Sequence, residues 1–81
     1  MTDVEKQYQP ISCSTYSGFE VAILHRRKLH LRWVEGNVIH DEIVTPLDLQ
    51  TREHQEFLIC RDVNGAAHTL RLDHIHHVEA L

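Results

Sequence analysis

Leu29, Leu31 and Trp33 alternate with His30 and Arg32, and this two-residue period is the feature that most constrains the fold. Successive side chains of a pleated strand point to opposite faces, so such a run buries one face and leaves the other polar. Glu35-Gly36-Asn37 then supplies turn chemistry, and Val38 to Val44 resumes with β-branched residues. Ile39 and Ile43 share a face with Asp41, which breaks the alternation and predicts a bulge or sharp bend there. Pro46 argues against a central-strand role for Thr45-Pro46-Leu47-Asp48, and Gln50 to Gln55 reads as a polar loop. Phe57-Leu58-Ile59-Cys60 is a continuous apolar run suited to a strand covered on both faces. Asn64-Gly65 predicts a type I′ hairpin, because both residues tolerate positive φ. Leu70 and Leu72 alternate with Arg71 and Asp73, and a last short strand takes in Ile75 and Val78.

One segment reads as helix. Residues 1–11 are expected to be a flexible N-terminal segment, polar as far as Gln9, and residues 12–81 a single domain. Ser12-Cys13-Ser14-Thr15 offers hydroxyls for the orphan amides of a helix start, and Ser17-x-x-Glu20 matches a capping box. Tyr16, Phe19, Ile23 and Arg27 recur at helical spacing, while His25-Arg26-Arg27-Lys28 places cations in the closing turn. A helix within Cys13 to Arg27 followed by about five short, bent antiparallel strands makes the chain mainly β, in the form of a small, partly closed barrel.

A chain of 81 residues buries only roughly 60% of the surface its unfolded form exposes, leaving no room for a capacious pocket beside its one core. HExxH, GxSxG and P-loop motifs are absent, and three scattered glycines build no dinucleotide turn. No catalytic residues and no cofactor are expected. Cys13 and Cys60 match no zinc-ribbon spacing and read as free thiols. The first residues carry acids and no apolar h-region, and no run approaches the ~18 apolar residues of a membrane span, so a cytoplasmic protein is expected. In Asp73-His74-Ile75-His76-His77, an extended strand would project His74 and His76 to one face, where two imidazoles capture a borderline metal. A structural zinc needs four ligands, which Cys60 and His68 would complete only through tertiary folding, so no native metal site is expected.

Two surfaces of opposite sign remain. Arg26, Arg27 and Lys28, with His25, His30, Arg32, Tyr16 and Trp33 near them in sequence, resemble the charge-plus-stacking recipe of single-strand RNA binders. Trp33 follows the parity of Leu29 and Leu31, however, and so belongs to the core. Against this basic run, Glu20, Asp48, Glu53 and Glu56 compose an acidic face. Eight Lys and Arg against 12 Asp and Glu give a formal charge of 8 − 12 = −4, which disfavours phosphate backbones and favours a basic protein partner. Eight histidines would move that charge from −4 to +4 if all were protonated, near an imidazole pKa of ~6.5. Were several of them to line the acidic face, a basic partner would bind less well at lower pH.

Tyr8-Gln9-Pro10-Ile11-x-Cys13-x-x-Tyr16, then Glu20, Gly36, Leu47-Asp48-x-x-Thr51-Arg52, Glu56-Phe57-Leu58 and Leu70-Arg71-Leu72-Asp73 follow one another along nearly the whole chain. This series resembles the Rho-binding antiterminator family (Rof, also called YaeO). The resemblance implies an N-terminal helix on an Sm-like barrel of bent antiparallel strands. It also implies a bacterial protein that binds the hexameric termination helicase Rho and keeps transcript RNA off Rho's primary RNA-binding surface. Contact residues carried over from the family are Tyr16, Ser17 and Glu20 on the helix, with Asp48, Thr51, Arg52, Glu53 and His54 from the later segment. Ser14, Thr15 and Ser17 stand where related chains are often acidic, which leaves Glu20 more isolated. The alternative is an Sm-like single-stranded RNA binder using Arg26, Arg27 and Lys28.

Overall fold

The computed structural model describes residues 11–81; the loose leader expected before Pro10 lies outside the described residues. Helix α1 (Cys13–Leu24) is followed by β1 (Leu29–Glu35), β2 (Val38–Arg52), β3 (Gln55–Asp62), β4 (Ala67–Arg71), a 3₁₀ turn (Leu72–His74) and β5 (Ile75–Ala80). Every pairing is antiparallel and the sheet order is β4-β3-β2-β1-β5. The expected mainly β chain with one N-terminal helix therefore forms. Its edges, β4 and β5, share no ladder among the described residues, so hydrogen bonding does not close the sheet into a barrel.

Ser12 starts the helix: its side-chain oxygen accepts from the Thr15 amide at 3.2 Å. The Ser17/Glu20 capping box is accordingly not formed, because both residues lie inside α1. The cations predicted for the closing turn fall just beyond it. His25 is the C-cap, and Arg26 takes left-handed φ of 54° while the Arg26 and Arg27 amides donate to Ile23 and Ala22 carbonyls at 3.2 and 2.8 Å. That bond pair is a Schellman ending, with arginine where glycine is usual. Phe19 and Ala22 enter the core, with Tyr16 and Ile23 packed at its margin.

Leu29, Leu31 and Trp33 are buried as their period demands, and join Val44, Leu58, Cys60, Leu70 and Leu72. Leu58 and Cys60 face inward, while Phe57 and Ile59 are only half-buried, so the expected coverage of both β3 faces is partial. The larger corrections concern β2. Its first half pairs with β1 in unbroken register from Glu35↔Val38 to Leu29↔Val44, leaving Ile39, Asp41 and Ile43 on an exposed face with no bulge. The irregularity comes at Pro46/Asp48, where Leu47 is the extra residue opposite β3. Pro46 is tolerated in this central strand because the β1 ladder has already ended, so β2 is locally paired on one side only. The bulge also shifts parity: Val44 and Pro46 are buried, and after it Leu49 packs on the core.

Gln50 to Gln55 is likewise not a loop. Register Arg52↔Gln55 leaves a two-residue connection, Glu53-His54, with φ of 50° and 67°. Two successive left-handed residues are what a type I′ turn requires, and neither is the glycine or asparagine that adopts it readily. At Asn64-Gly65 a hairpin does form, but only Gly65 has positive φ, at 87°. Asp62 organises this turn, its Oδ1 accepting from the Asn64 and Ala66 amides at 2.9 and 3.0 Å and its Oδ2 meeting His68 Nε2 at 2.9 Å.

Replacing the strained pair by Glu53→Asn with His54→Gly should stabilise the fold by about 1 kcal/mol, net of the freedom glycine adds to the unfolded chain. In thermal denaturation that is a rise of roughly 4–8 °C, and no rise would show the turn to be unstrained. The His68 contact, followed by the Ala66 and Asn64 amides, holds the Asp62 carboxyl below its ordinary range. A depressed folded value means that its stabilisation is complete above the ordinary carboxylate range and lost as pH falls through the folded value. Asp62→Asn should therefore unfold more easily at neutral pH and lose less stability on acidification, as denaturant midpoints at several pH values would register.

Candidate functional site

Helix α1 packs against β2, and the crease between helix and sheet gathers half of the residues singled out in the sequence. Tyr16 and Glu20 sit one turn apart on one helix face. With Ile23, Leu24, Asp48 and Leu49 they line an open cleft of about 360 Å³. Tyr16 also borders a second hollow of about 350 Å³ with Ile11, Cys13, Ser17 and Glu56. Tyr16 is thus shared by both and half-buried between them. Its own burial first, then the charges of Glu56, Glu20 and Asp48, push the phenol above its usual pKa. A phenol kept protonated among three carboxylates is a hydrogen-bond donor set in a negative field. Asp48 is held in place by one of its oxygens, which accepts from the Leu49 amide at 2.9 Å.

Thr51, Arg52, Glu53 and His54 lie further along the same β2–β3 hairpin. Thr51 stands opposite Glu56, which links the cleft to the tip. Four residues separate Asp48 from Arg52, about 13 Å of strand. Arg52 is oriented by Gln50, whose Oε1 accepts from its Nε at 3.1 Å, and its guanidinium lies 5.5 Å from the centre of the Phe57 ring. Glu53 and His54 are exposed at the strained turn. Tyr16, Ser17, Glu20 and Asp48 are therefore brought together, and the other four form an outlying projection. Glu56 belongs with the first group. Its register opposite Thr51 turns it toward the helix, in keeping with the acidic face on which the sequence groups it with Glu20 and Asp48.

The remaining candidates are dispersed. Arg26, Arg27 and Lys28 are exposed in the link after α1 and enter no ion pair among the described residues. His74 lies in the 3₁₀ turn rather than in an extended strand, so His74 and His76 do not share a strand face as the spacing suggested. Cys60 is fully buried, burial pushes its thiol up to about 12, and it joins no group of metal-ligating side chains among the described residues. No histidine lines either hollow around Tyr16; His54 alone approaches the acidic side, at the hairpin tip. The Leu70-Arg71-Leu72-Asp73 stretch is structural: both leucines are buried, and Arg71 Nε donates to Asp73 at 2.9 Å across the β4–β5 turn.

The fold and cleft define a class, a small antiparallel β domain with an acidic helix–hairpin crease. Among solved structures, proteasome accessory factor B/C (PafBC) of Arthrobacter aurescens superposes with a TM-score of 0.75 at 19% identity, covering 89% of this chain and 12% of that one. At that identity the likeness is one of fold. No curated protein matches the chain. The family model for ROF, modulator of Rho-dependent transcription termination, matches residues 10–81, and the chain belongs to that family.

Because Cys13 borders the hollow and is exposed while Cys60 is buried, a thiol reagent should label one site in the native protein and two in denaturant. Rapid native labelling at both, read by intact mass, would contradict this burial pattern.

Proposed function

We propose that this modulator of Rho-dependent termination acts without catalysis, by binding Rho and blocking RNA access to its primary RNA-binding surface. The observation that supports this most is the convergence of Glu20, Asp48 and Glu56 on Tyr16. A surface that holds RNA must be electropositive, and a −4 domain presenting carboxylates beside a phenol donor offers it a substitute for phosphates and a base. Tyr16 is the amphipathic anchor and Glu20 the partner for a Lys or Arg. The hairpin tip, Thr51, Arg52, Glu53 and His54, extends the contact beyond the cleft. Holding Glu53 and His54 in left-handed conformations costs stability, and such strain persists where the surrounding structure fixes a shape, often at contact sites. The protein works in the cytoplasm, where Rho meets transcripts, and this blocking needs no cofactor.

The exposed Arg26, Arg27 and Lys28, in no ion pair among the described residues, support the other reading, an RNA-binding domain of the same fold. Competition separates the two. On the first reading the purified protein displaces single-stranded RNA from Rho and does not itself shift that RNA at low salt. Glu20→Lys should weaken binding to Rho about tenfold, equivalent to about 1.4 kcal/mol, whereas Arg27→Ala should not. Undiminished RNA loading on Rho in large molar excess of the protein, measured by fluorescence anisotropy, would overturn the proposal. Salt-sensitive RNA binding by the free protein would favour the alternative.

A further inference from the structure

The outer face of the β1–β5 ladder carries a side-chain set unrelated to the cleft. His30 on β1 lies opposite Glu79 on β5, and Arg32 lies opposite His77. His30 Nδ1 is 3.5 Å from Glu79 Oε1, and His77 Nε2 is 3.7 Å from the same oxygen. The two imidazole rings meet edge-on at 69° with centroids 5.7 Å apart, and one ligand atom from each of the three residues lies within 4.8 Å of the others. We propose that His30, His77 and Glu79 form a binding site for a divalent transition metal of the zinc class.

Three features carry the assignment. Donors bound at 2.0–2.1 Å to a tetrahedral ion stand about 3.3–3.4 Å apart, so the two contacts to Glu79 need to shorten by a few tenths of an ångström, and the two imidazole nitrogens already lie within 4.8 Å of each other. The ring is also oriented for the task. His30 Nε2 is hydrogen-bonded to Asp41, and a carboxylate only accepts, so a proton resides on Nε2 and Nδ1, which faces Glu79, is the ring nitrogen left for an ion to take up. Asp41 is itself gripped by Arg32, whose Nε and terminal nitrogen donate at 3.3 and 3.1 Å. Arg32, Asp41 and His30 thus reproduce the outer support that orients metal-bound histidines. Finally, the ligands remain accessible, with 30%, 48% and 62% of the His30, His77 and Glu79 side chains exposed. Two imidazoles and one carboxylate leave the fourth position for water, and the ion would fasten edge strand β5 to β1.

The test uses the full chain without an affinity tag, stripped with a chelator and titrated with Zn²⁺ and Co²⁺. One equivalent of Co²⁺ should bind with the visible spectrum of a tetrahedral ion. Zn²⁺ at a hundredfold over its Kd should raise the Tm on the order of 10 °C. His77→Ala and Glu79→Gln, both exposed on an edge strand, should each weaken Zn²⁺ at least about tenfold, and Asp41→Asn by about 10–100-fold. His76→Ala, at the unpaired position between Ile75 and His77 and outside the ligand set, should leave the affinity unchanged. Equal affinity in His77→Ala, loss in His76→Ala, or saturation only at millimolar Zn²⁺ would each overturn the site.

Discussion

A strand of 15 residues would run about 50 Å if straight, yet the longest dimension of the protein is 40 Å. Strand β2 must bend, and the rest of the architecture depends on where. The break at Pro46/Asp48 comes directly after β1 has ended its pairing at Val44 and while β3 continues on the other side. One chain segment thereby serves two ladders in succession, each curving away from the other. The same bulge reverses the inward parity, taking Val44 and Pro46 into the core before it and Leu49 after it. Asp48 is the residue released by that reversal, and it borders α1 rather than the core. The acidic crease is thus a by-product of the bend: a straight β2 would carry Asp48 past the helix.

The legible and illegible parts of the sequence divide along this same strand. Leu29, Leu31 and Trp33 disclosed β1 because one buried face imposes a strict period. What β2 obscured was the effect of tertiary context on local preference. Proline ordinarily bars a central strand, and the exception depends on where another strand happens to stop. Glu53-His54 carries no turn signal, since its left-handed backbone is imposed by the ladder from Arg52↔Gln55 to Asp48↔Ile59. Asn64-Gly65 carried the strongest turn signal, and Asp62 overrode its expected form by capturing the amides of Asn64 and Ala66. The site suffered accordingly: with Gln50 to Gln55 read as loop, the distance of the tip from the cleft was not recoverable.

Charge in this domain is sorted rather than spread. Arg32 is committed to Asp41, Arg71 to Asp73, and His68 to Asp62. The two Arg–Asp pairs are nearly neutral as seen from outside and add little to a long-range field. The carboxylates around Tyr16 lie apart from them, and Glu20 enters no ion pair among the described residues. The acids cancelled by arginine thus lie away from the crease, and Glu20 keeps its full charge there within the −4 of the chain. Histidines follow the same division: His30, His40, His68 and His77 lie beside carboxylates of the sheet, away from the helix.

That sorting bears on how one small domain presents two signs of charge. The cations Arg26, Arg27 and Lys28 closely follow α1, and Glu20 lies inside that helix, six residues before Arg26. Fields of exposed charges decay over a Debye length of ~8 Å at physiological ionic strength. The two patches then act as neighbours with partly independent fields rather than as one neutral surface. A basic partner bound as proposed would be attracted by Glu20, Asp48 and Glu56 and repelled at the Arg26–Lys28 margin, which would fix its direction of approach. Attraction alone would permit many poses, whereas attraction bounded on one side by repulsion selects among them.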